Sequence, residues 1–301
     1  MNSIPITDIF TIILVLVDDW YQENAQDFRK GKPGKKPEFS DSEVITLLLA
    51  MDFIPFPSET QFLAFLRANY LDLFPRLLDQ SQFNRRARDL CQLVEQFRRH
   101  WLVKIGIALW DQCLLDTKPV PVVGYRRSKK GSDFLGSADY GYCASKKMYY
   151  FGYKLVTLTT LNGIPLLYDL VPASTDERMA AESLIDCISG CDICADKGFI
   201  GHEWQSQLFQ QTGNRILTPK RSNQYEQNPK WFDKLLNRLR LRIEGVFNEI
   251  QNTGRNLERL LAKTIQGLCT RIIAKMTSHL LKFILRNYFQ IDVQTFSYIS
   301  A

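Results

Sequence analysis

Residues 108–122 read ALWDQCLLDTKPVPV, and the expected fold follows from how this stretch is interpreted. An apolar run leads to a single acid, Asp116, after which the chain turns polar. Because the run is short, contains β-forming residues and is followed by Pro119 and Pro121, it predicts a buried strand that ends at Asp116. A carboxylate at this point is costly unless its charge is compensated, for example by a metal ion. Taken alone, Asp116 also fits a solvated aspartate at a strand end.

The residues that follow predict further strands of the same sheet. Residues 124–147 are basic, contain scattered aromatic residues and have few aliphatic ones, which predicts a long mobile loop. Two β-rich runs, 148–160 and 164–171, then flank Asn162-Gly163, a dipeptide typical of a tight hairpin turn. Helices and strands alternate next, with a helix capped at 175–177, a strand at 192–195, a helix at 202–211, a strand at 214–218 and a helix at 229–251. This order predicts the α/β class, with a mixed sheet, flanking helices and the element order of the ribonuclease-H-like fold.

Residues 1–100 predict an all-helical region in front of this sheet. Helices are expected at 4–24, from a capping box formed by Ser40 and Glu43, at 58–69 and at 82–100. The last of these carries Arg85, Arg86 and Arg88, which makes the region basic in patches, as in small helical DNA-binding domains. The composition shifts near Trp101, where we expect the sheet-containing region 101–301 to begin.

The composition is that of a globular protein with a mildly basic balance. The chain has 301 residues, 45% of them hydrophobic, and a formal net charge of +6, which is compatible with a polyanionic partner. Its seven cysteines are an odd number spread along the chain, which favours reduced thiols over a disulfide framework. The apolar run 9–17 is too short to span a bilayer and lacks the basic flank of an export signal. We therefore expect a soluble cytoplasmic protein with no membrane partner.

Two later acids can join the first aspartate. Asp196 closes a short strand and is followed by Gly198, where the chain must turn. Glu244 belongs to a late helix, on a polar stripe that runs beside the apolar residues of that helix. Taken alone, Glu244 also fits a solvated glutamate paired with Arg240 four residues earlier.

Together, Asp116, Asp196 and Glu244 form a more specific pattern than any of them alone. Three carboxylates brought close together repel one another unless divalent cations offset their charge. Oxygen ligands favour hard cations such as Mg²⁺ or Mn²⁺. Two such ions about 4 Å apart can hold the attacking and leaving oxygens of a phosphodiester. The pattern therefore predicts metal-dependent displacement at phosphorus, with the three acids as metal ligands.

The chain resembles bacterial insertion-sequence transposases of the aspartate-aspartate-glutamate type, most closely the insertion sequence 982 family. The resemblance rests on Asp116 in LLDTKPVPV, Asp196 in ADKGF and Glu244 in RLRIE. The segments GYKL at 152–155 and ASTD at 173–176 also look like that family, and the resemblance covers most of the chain.

The last helix departs from the family pattern at two positions. Related transposases carry Tyr, Arg, Glu and Lys there, with two, three and six residues between them. This chain keeps Arg240 and Glu244 but has Asn237 in place of the Tyr and Gln251 in place of the Lys. A neutral amide binds phosphate more weakly than an ammonium group. The glutamine at position 251 is therefore expected to weaken a DNA contact there, and it does not affect the assignment of the three acids. The resemblance implies that Arg240 positions Glu244 or a phosphate.

The resemblance implies a nuclease and strand transferase that cuts the ends of an insertion sequence and joins them to target DNA. Residues 1–100 would bind DNA, and residues 101–301 would form a ribonuclease-H-like catalytic domain with C-terminal helices. The expected partners are double-stranded DNA, as terminal inverted repeats and as target, and a second copy of the chain on that DNA, at the nucleoid of a prokaryote. The residues expected to contact DNA are Arg85, Arg86, Arg88, Arg126, Arg127, Lys129, Lys130, Lys220, Arg221, Arg240 and Gln251.

Two other functions and one other site fit parts of the same sequence. A ribonuclease-H-like nuclease without transposition would use the same acids, and a catalytically inactive or domesticated copy would bind DNA without cutting it. Cys187, Cys191, Cys194 and His202 lie close together in the sequence and could be read as a zinc site, but their spacing matches no usual zinc motif. Buried cysteines commonly behave as small apolar residues, and we favour that interpretation here.

Overall fold

The computed structural model of the chain describes residues 4–30, 35, 37–54, 56–107, 111–124, 133–144, 146–252, 256–291 and 296–297. Its contacts form two compact units, one made of Met1–Lys104 with Asn252–Ala301 and the other of Ile105–Gln251. In chain order, the helices and strands are β1 (Ile4–Pro5), α1 (Ile6–Asn24), α2 (Asp41–Ala50), α3 (Glu59–Asn69), α4 (Gln80–Asp89), α5 (Cys91–Lys104), β2 (Gln112–Val123), β3 (Asp139–Cys143), β4 (Met148–Thr160), β5 (Pro165–Pro172), α6 (Glu177–Ile185), β6 (Asp192–Ala195), α7 (His202–Thr212), β7 (Arg215–Leu217), α8 (Lys230–Asn252), α9 (Ile265–Tyr288) and β8 (Phe296–Ser297).

The first unit is built mainly from helices, as the sequence predicts for residues 1–100. At the start of α2, the Ser40 hydroxyl accepts a hydrogen bond from the backbone N–H of Glu43 at 3.1 Å. Glu43 Oε2 in turn accepts one from the backbone N–H of Ser40 at 2.6 Å, which confirms the predicted capping box. The face that α1 buries repeats every three or four residues and consists of Ile6, Ile9, Phe10, Ile13, Val17 and Trp20.

The single helix predicted at 82–100 is wrong, because two helices occupy this stretch. α4 ends at Asp89, Leu90 is its C-cap residue, and α5 begins at Cys91. α4 packs against α2, α3 and α9, whereas α5 packs mainly against α9. Since neither glycine nor proline interrupts the sequence here, the break follows from tertiary packing and leaves no local signal.

The C-terminal helix α9 packs with the N-terminal helices, whereas the sequence predicts it as part of the region 101–301. Lys275 Nζ lies 2.9 Å from Asp52 Oδ1, and the side chains of both residues are only 1% exposed. Ser278 donates to the backbone carbonyl of Leu49 at 2.9 Å, and Lys282 donates to that of Asp52 at 2.8 Å. These buried bonds join α9 to the end of α2 and the turn after it.

The described strands of the second unit form a six-stranded mixed sheet in the order β3-β4-β2-β6-β7, with β5 also paired to β4. β2 runs antiparallel to β4 and parallel to β6, and β6 runs parallel to β7. β3 and β5 both pair with β4, one after the other along its length. β3 pairs with the first part of β4, and β5 pairs with the rest. The β4–β5 hairpin confirms the turn predicted at Asn162-Gly163, where Gly163 has a φ of +84°.

β2 is longer than predicted, because it continues through both prolines to Val123 instead of ending at Asp116. Pro119 and Pro121 lie two residues apart, so their nitrogens face the same side of the strand. Beyond Leu115 the parallel pairing with β6 has ended, which leaves one side of β2 free of that strand. A strand edge of this kind tolerates residues that lack a backbone N–H.

The mobile loop predicted at 124–147 is wrong for part of its length, since β3 lies within it. β3 pairs with β4 in an antiparallel ladder, and the rings of Tyr142 and Tyr149 contact each other across the pair, with centroids 4.9 Å apart and planes inclined by 50°. Gly141 and Cys143 face the interior while their neighbours are exposed, which is the alternation of a half-buried strand. Residues 125–132 of the predicted loop lie outside the described residues.

Helices cover the sheet as the predicted α/β class requires. Ala180, Ala181 and Leu184 of α6 pack with sheet residues such as Val156 and Ile193 in one buried cluster. α8 buries most of the apolar stripe that the sequence predicts, namely Leu236, Ile243, Val246, Phe247 and Ile250, whereas Leu239 of that stripe is half-buried. Among the described helices, none combines the length and the apolar character that crossing a membrane requires.

Candidate active site

Asp116 and Asp196 lie side by side because of the register between two neighbouring strands. The parallel pairing of β2 with β6 ends with Leu115 opposite Ala195. The next residue in each chain segment is an aspartate, so Asp116 and Asp196 lie at the same end of the paired region. The convergence that the sequence could only suggest for these two acids therefore has a geometric basis in the sheet.

Asp116 is half-buried, and protein atoms surround its carboxyl group. Burial raises the pKa of Asp116 to about 7, and the charges of Asp196 and Glu177 act in the same direction. The backbone N–H of Thr117, which donates to Asp116 Oδ1 at 2.7 Å, and the guanidinium of Arg240 act against the rise. Near neutral pH, this carboxyl group is therefore divided between its protonated and ionised forms.

Asp196 is held at a tight turn directly after β6. Its Oδ1 accepts a hydrogen bond from the backbone N–H of Gly198 at 2.7 Å and so caps the 3₁₀ turn Lys197–Phe199. A capping bond of this kind fixes the side-chain rotamer. The other carboxylate oxygen, Oδ2, is the one that faces Arg240, at 4.0 Å from its Nη2.

Arg240 connects Asp196 to Glu244. Its Nη2 lies 3.5 Å from Glu244 Oε1, one helical turn further along α8. The side chain of Glu244 is 49% exposed and that of Arg240 is 31% exposed. The predicted pairing of Arg240 with Glu244 is thus present, and the same guanidinium approaches the second aspartate.

A fourth acid, Glu177, lies in the same group of side chains and was not singled out by the sequence analysis. It is the first residue of α6, and Thr117 Oγ1 donates to its Oε1 at 3.4 Å. Burial and the charge of Asp196 raise the pKa of Glu177, while Lys154 lowers it. In the sequence, Glu177 appeared only as part of a helix cap, since a first-turn glutamate is common for electrostatic reasons.

The donor set of this site suits a hard divalent cation. The candidate ligands Asp116, Asp196 and Glu244 are all carboxylates, and the like charges around the shielded Asp116 are of the kind that such a cation offsets. Within the part of the chain that the structure describes, no three acids, histidines or cysteines surround a common point closely enough to hold a metal ion. Arg240 bridges two of the acids instead, so binding a cation would require Arg240 or Glu244 to move.

The arginines of α4 occupy different environments. Arg86 donates to the backbone carbonyl of Phe39 at 2.6 Å and to Asp41 Oδ1 at 2.7 Å, and its side chain is only 14% exposed. A phosphate contact at Arg86 would therefore have to replace bonds inside the unit. Arg88 is half-buried, whereas Arg85 is exposed.

The remaining candidates for DNA contact lie in the second unit. Arg221 is exposed, and its Nη2 donates at 3.2 Å to the backbone carbonyl of Lys197, which is next to Asp196. Lys220 lines an open cavity of about 230 Å³, and Gln251 is half-buried at the end of α8. The predicted contacts at Arg126, Arg127, Lys129 and Lys130 lie outside the described residues.

The cysteines of the alternative zinc site lie in different environments. Cys187 is exposed, whereas Cys191 and Cys194 are buried. Burial raises the pKa of Cys194 to about 11, so this thiol stays protonated at neutral pH. Among the described residues, no three cysteines, histidines or acids lie closely enough together to hold a metal ion, which argues against the zinc site.

Comparison with known proteins identifies the family. A family model described as a transposase DDE domain matches residues 111–281, which is more than half of the chain. The matched residues include both aspartates on the sheet and the polar stripe of α8. No curated protein and no solved structure matches the chain. The chain therefore belongs to the transposase DDE domain family.

Proposed function

We propose that this transposase serves a bacterial insertion sequence, most similar to those of the insertion sequence 982 family, and that its second unit has the ribonuclease-H-like fold. It cuts the ends of the element by hydrolysis and joins them to target DNA by transesterification. The observation that carries the proposal is the register of β2 and β6, in which Leu115 lies opposite Ala195 and two aspartates follow. The order of elements after β2 supports the same fold.

In this proposal Asp116, Asp196 and Glu244 are the ligands of two divalent cations, Mg²⁺ or Mn²⁺. When bound, such ions stabilise the charge on the scissile phosphate and activate water or a 3′-hydroxyl for in-line attack. Asp116 contributes a shielded oxygen, and the turn at Gly198 fixes the direction of Asp196. Arg240 acts as a positioning residue for Glu244, and its guanidinium also suits a phosphate oxygen.

The DNA in this proposal is held by basic side chains of both units. Arg85 is an exposed candidate on α4, and Arg221 lies close to the turn that carries Asp196. Contacts of this kind neutralise phosphates and release counterions, so binding weakens as the salt concentration rises. We also propose that the helical N-terminal region binds the terminal inverted repeats and that two copies of the chain assemble on the DNA.

The test is a reaction with DNA from the regions that flank the coding sequence, supplied with a second, unlabelled duplex. A transposase converts the labelled ends into joined products in the presence of Mg²⁺ or Mn²⁺. A nuclease of the same fold gives cleavage without joined products, and an inactive DNA-binding copy shifts the labelled duplex without cutting it. The absence of joined products at every concentration of cation would overturn the proposal in favour of one of these alternatives.

A further inference from the structure

The hairpin formed by β3 and β4 carries a row of aromatic rings on one face. Tyr140 contacts Phe151 across the two strands, with ring centroids 5.0 Å apart, and Tyr142 contacts Tyr149 in the same way at 4.9 Å. Phe151 is buried, whereas Tyr142 is 52% exposed and Tyr149 is 64% exposed. Tyr142 and Tyr149, which we call the tyrosine pair, are therefore accessible to a ligand.

The opposite face of this hairpin packs against its own unit. Cys143, Tyr150 and Ala173 form a small buried cluster there. A Cβ atom at Gly141 would lie only 2.8 Å from the Cβ atom of Ala173, so the hairpin is in close contact with the segment that follows β5. The backbone that carries the tyrosine pair is therefore held in place, which lowers the entropic cost of binding a ligand on the exposed face.

The tyrosine pair lies on the same face of the sheet as Asp116. Asp116 is opposite Thr157 on β4, and residues paired directly across an antiparallel ladder point to the same face. Residues at intervals of two along β4 share that face, and Tyr149 lies eight positions before Thr157. At about 3.3 Å per residue, these two positions are about 26 Å apart along the strand. A DNA strand that rises about 3.4 Å per nucleotide covers this distance in about eight nucleotides.

Positive charge lies next to the tyrosine pair. Lys146 and Lys147 are exposed and directly precede β4, where the backbone N–H of Lys147 donates to the carbonyl of Ala144 and closes the turn. Lysine is depleted at protein interfaces, whereas it binds phosphate as a point charge. Aromatic rings stack on the faces of unpaired bases, which in a duplex are stacked on one another. Tyrosines beside lysines therefore fit an unpaired stretch of DNA better than a protein partner.

We propose that the tyrosine pair stacks on unpaired bases of a DNA strand whose phosphates contact Lys147. This inference deepens the proposed function and rests on it, because the strand belongs to the DNA on which the reaction at Asp116 and Asp196 acts. The separation along β4 puts the unpaired bases about eight nucleotides from the scissile phosphate. The preferred substrate is therefore a DNA end with an unpaired segment at that distance, and not a fully paired duplex.

The experiment measures the binding of a labelled oligothymidylate and, separately, of a blunt duplex of the same length to the full-length protein. Fluorescence anisotropy without divalent cations, at several salt concentrations, gives both affinities without cleavage. Tyr142→Ala and Tyr149→Ala should each weaken the binding of oligothymidylate by about fivefold or more, since stacking on an aromatic ring contributes that much per base. Both variants should bind the duplex like the wild type, because its bases are not available to the rings.

Further variants separate stacking from a structural role of the rings. Tyr149→Phe keeps the ring and should bind oligothymidylate like the wild type, whereas Tyr149→Leu keeps apolar bulk without an aromatic face and should bind weakly. This comparison decides the question even if an alanine variant unfolds at a lower temperature. Tyr288→Ala is the matched control, since Tyr288 is 58% exposed at the end of α9 in the other unit. Lys147→Gln should make the slope of log affinity against log salt shallower by about 0.7, the value for one phosphate of a single strand.

The outcomes distinguish this inference from the proposed function. Equal binding of oligothymidylate by the wild type, Tyr142→Ala and Tyr149→Ala would refute the stacking site. If the tyrosine pair instead joins two copies of the chain, the alanine variants would sediment as a smaller species and bind oligothymidylate unchanged, which also refutes it. A wild type that cuts and joins end DNA but does not use these rings keeps the proposed function and loses the inference. A wild type that binds oligothymidylate through the tyrosine pair but neither cuts nor joins DNA keeps the stacking site and loses the proposed function.

Discussion

Arg240 and Glu244 form an ion pair one turn apart on α8, and the same guanidinium reaches Asp196 after β6. Nη2 of Arg240 lies 3.5 Å from Glu244 Oε1 and 4.0 Å from Asp196 Oδ2. The positive charge of Arg240 thus partly neutralises two of the three acids that we propose as metal ligands. A cation that binds these acids would take over this neutralising role, and the guanidinium would then be available for a phosphate.

The first prediction concerns Arg240. Changing Arg240→Ala should reduce DNA cleavage strongly, because Glu244 loses its positioning partner and the phosphate loses a candidate contact. The free energy of unfolding should change by less than about 1 kcal/mol, since both partners of this ion pair are partly exposed. Arg240→Lys keeps the charge but not the planar fork, so its cleavage rate should be intermediate.

The control for this prediction is Arg238→Ala, which removes an exposed arginine from the same helix. Cleavage by this variant should stay close to that of the wild type. Equal rates for the two alanine variants would show that position 240 has no special role.

The second prediction separates two neighbouring arginines of α4. Arg86 bonds to Asp41 and to the carbonyl of Phe39, so Arg86→Ala should lower the free energy of unfolding by about 1.5–3 kcal/mol. Arg85 is exposed, so Arg85→Ala should leave stability unchanged. If Arg85 contacts phosphate, its alanine variant should instead weaken binding to end DNA and reduce the slope of affinity against salt. Denaturant unfolding and binding titrations at several salt concentrations measure both effects, and a stability loss confined to Arg85→Ala would contradict the assignment.

The site illustrates what the sequence can and cannot predict. An apolar run, a short strand and a helical stripe, all of them local patterns, are what predict Asp116, Asp196 and Glu244 as ligands, and this assignment remains a prediction. The predicted end of β2 at Asp116 is wrong, because a strand edge accepts proline, and the edge position beyond Leu115 depends on the length of β6. Glu177 was missed, because its approach to Gly198 is a contact between elements that no local pattern encodes.

The helical unit shows the same division between local and long-range information. The capping box at Ser40 depends on residues within four consecutive positions, and its prediction is confirmed. The break between α4 and α5 depends on which helices they contact, and it carries no glycine or proline. The placement of α9 depends on the pairing of Lys275 with Asp52, two residues far apart in the sequence.

The third prediction follows from that buried pair. Lys275→Met removes one partner and leaves the other charge in an environment where both side chains are 1% exposed. The free energy of unfolding should fall by about 3–5 kcal/mol. The double variant Lys275→Met with Asp52→Asn should recover part of this loss, since the carboxylate that had lost Lys275 is then also removed. Chemical denaturation of the three proteins gives the coupling, and additive losses would show that the two residues act independently.

The fourth prediction is a pH dependence of stability in the protein without divalent cations. Burial raises the pKa of Asp116 from 3.8 to about 7 in the folded state. Between these values the folded protein holds a proton that the unfolded chain has released, so its contribution to stability falls as the pH rises from about 4 to about 7. Asp116→Asn replaces this carboxyl group with an amide that does not titrate, so it should flatten the pH profile of the unfolding free energy over the same interval. A variant with the same slope as the wild type would mean that Asp116 titrates normally.

The last prediction tests the three proposed ligands in the reaction. Changing Asp116, Asp196 or Glu244 to Ala should abolish cleavage in each case, and a double variant should be scarcely worse, because residues that act as a unit give non-additive losses. Folding should survive, since one member of a like-charge group is removed. Binding to end DNA should persist, because phosphate contacts come from basic side chains. Mg²⁺ or Mn²⁺ should support the wild-type reaction, whereas the larger Ca²⁺ should bind and support it poorly.

The controls for the acids are Asp192 and Glu249, which lie near them in the sequence. Asp192 is paired with Arg215 at 2.6 Å, so its alanine variant removes an acid from β6 without touching the proposed site. Glu249 lies on α8 five positions after Glu244, on a different side of the helix. Both variants should cleave DNA at rates close to the wild type. If Glu244→Ala cleaves normally and Glu249→Ala does not, the helix presents a different acid to the aspartates, and the assignment of the third ligand is wrong.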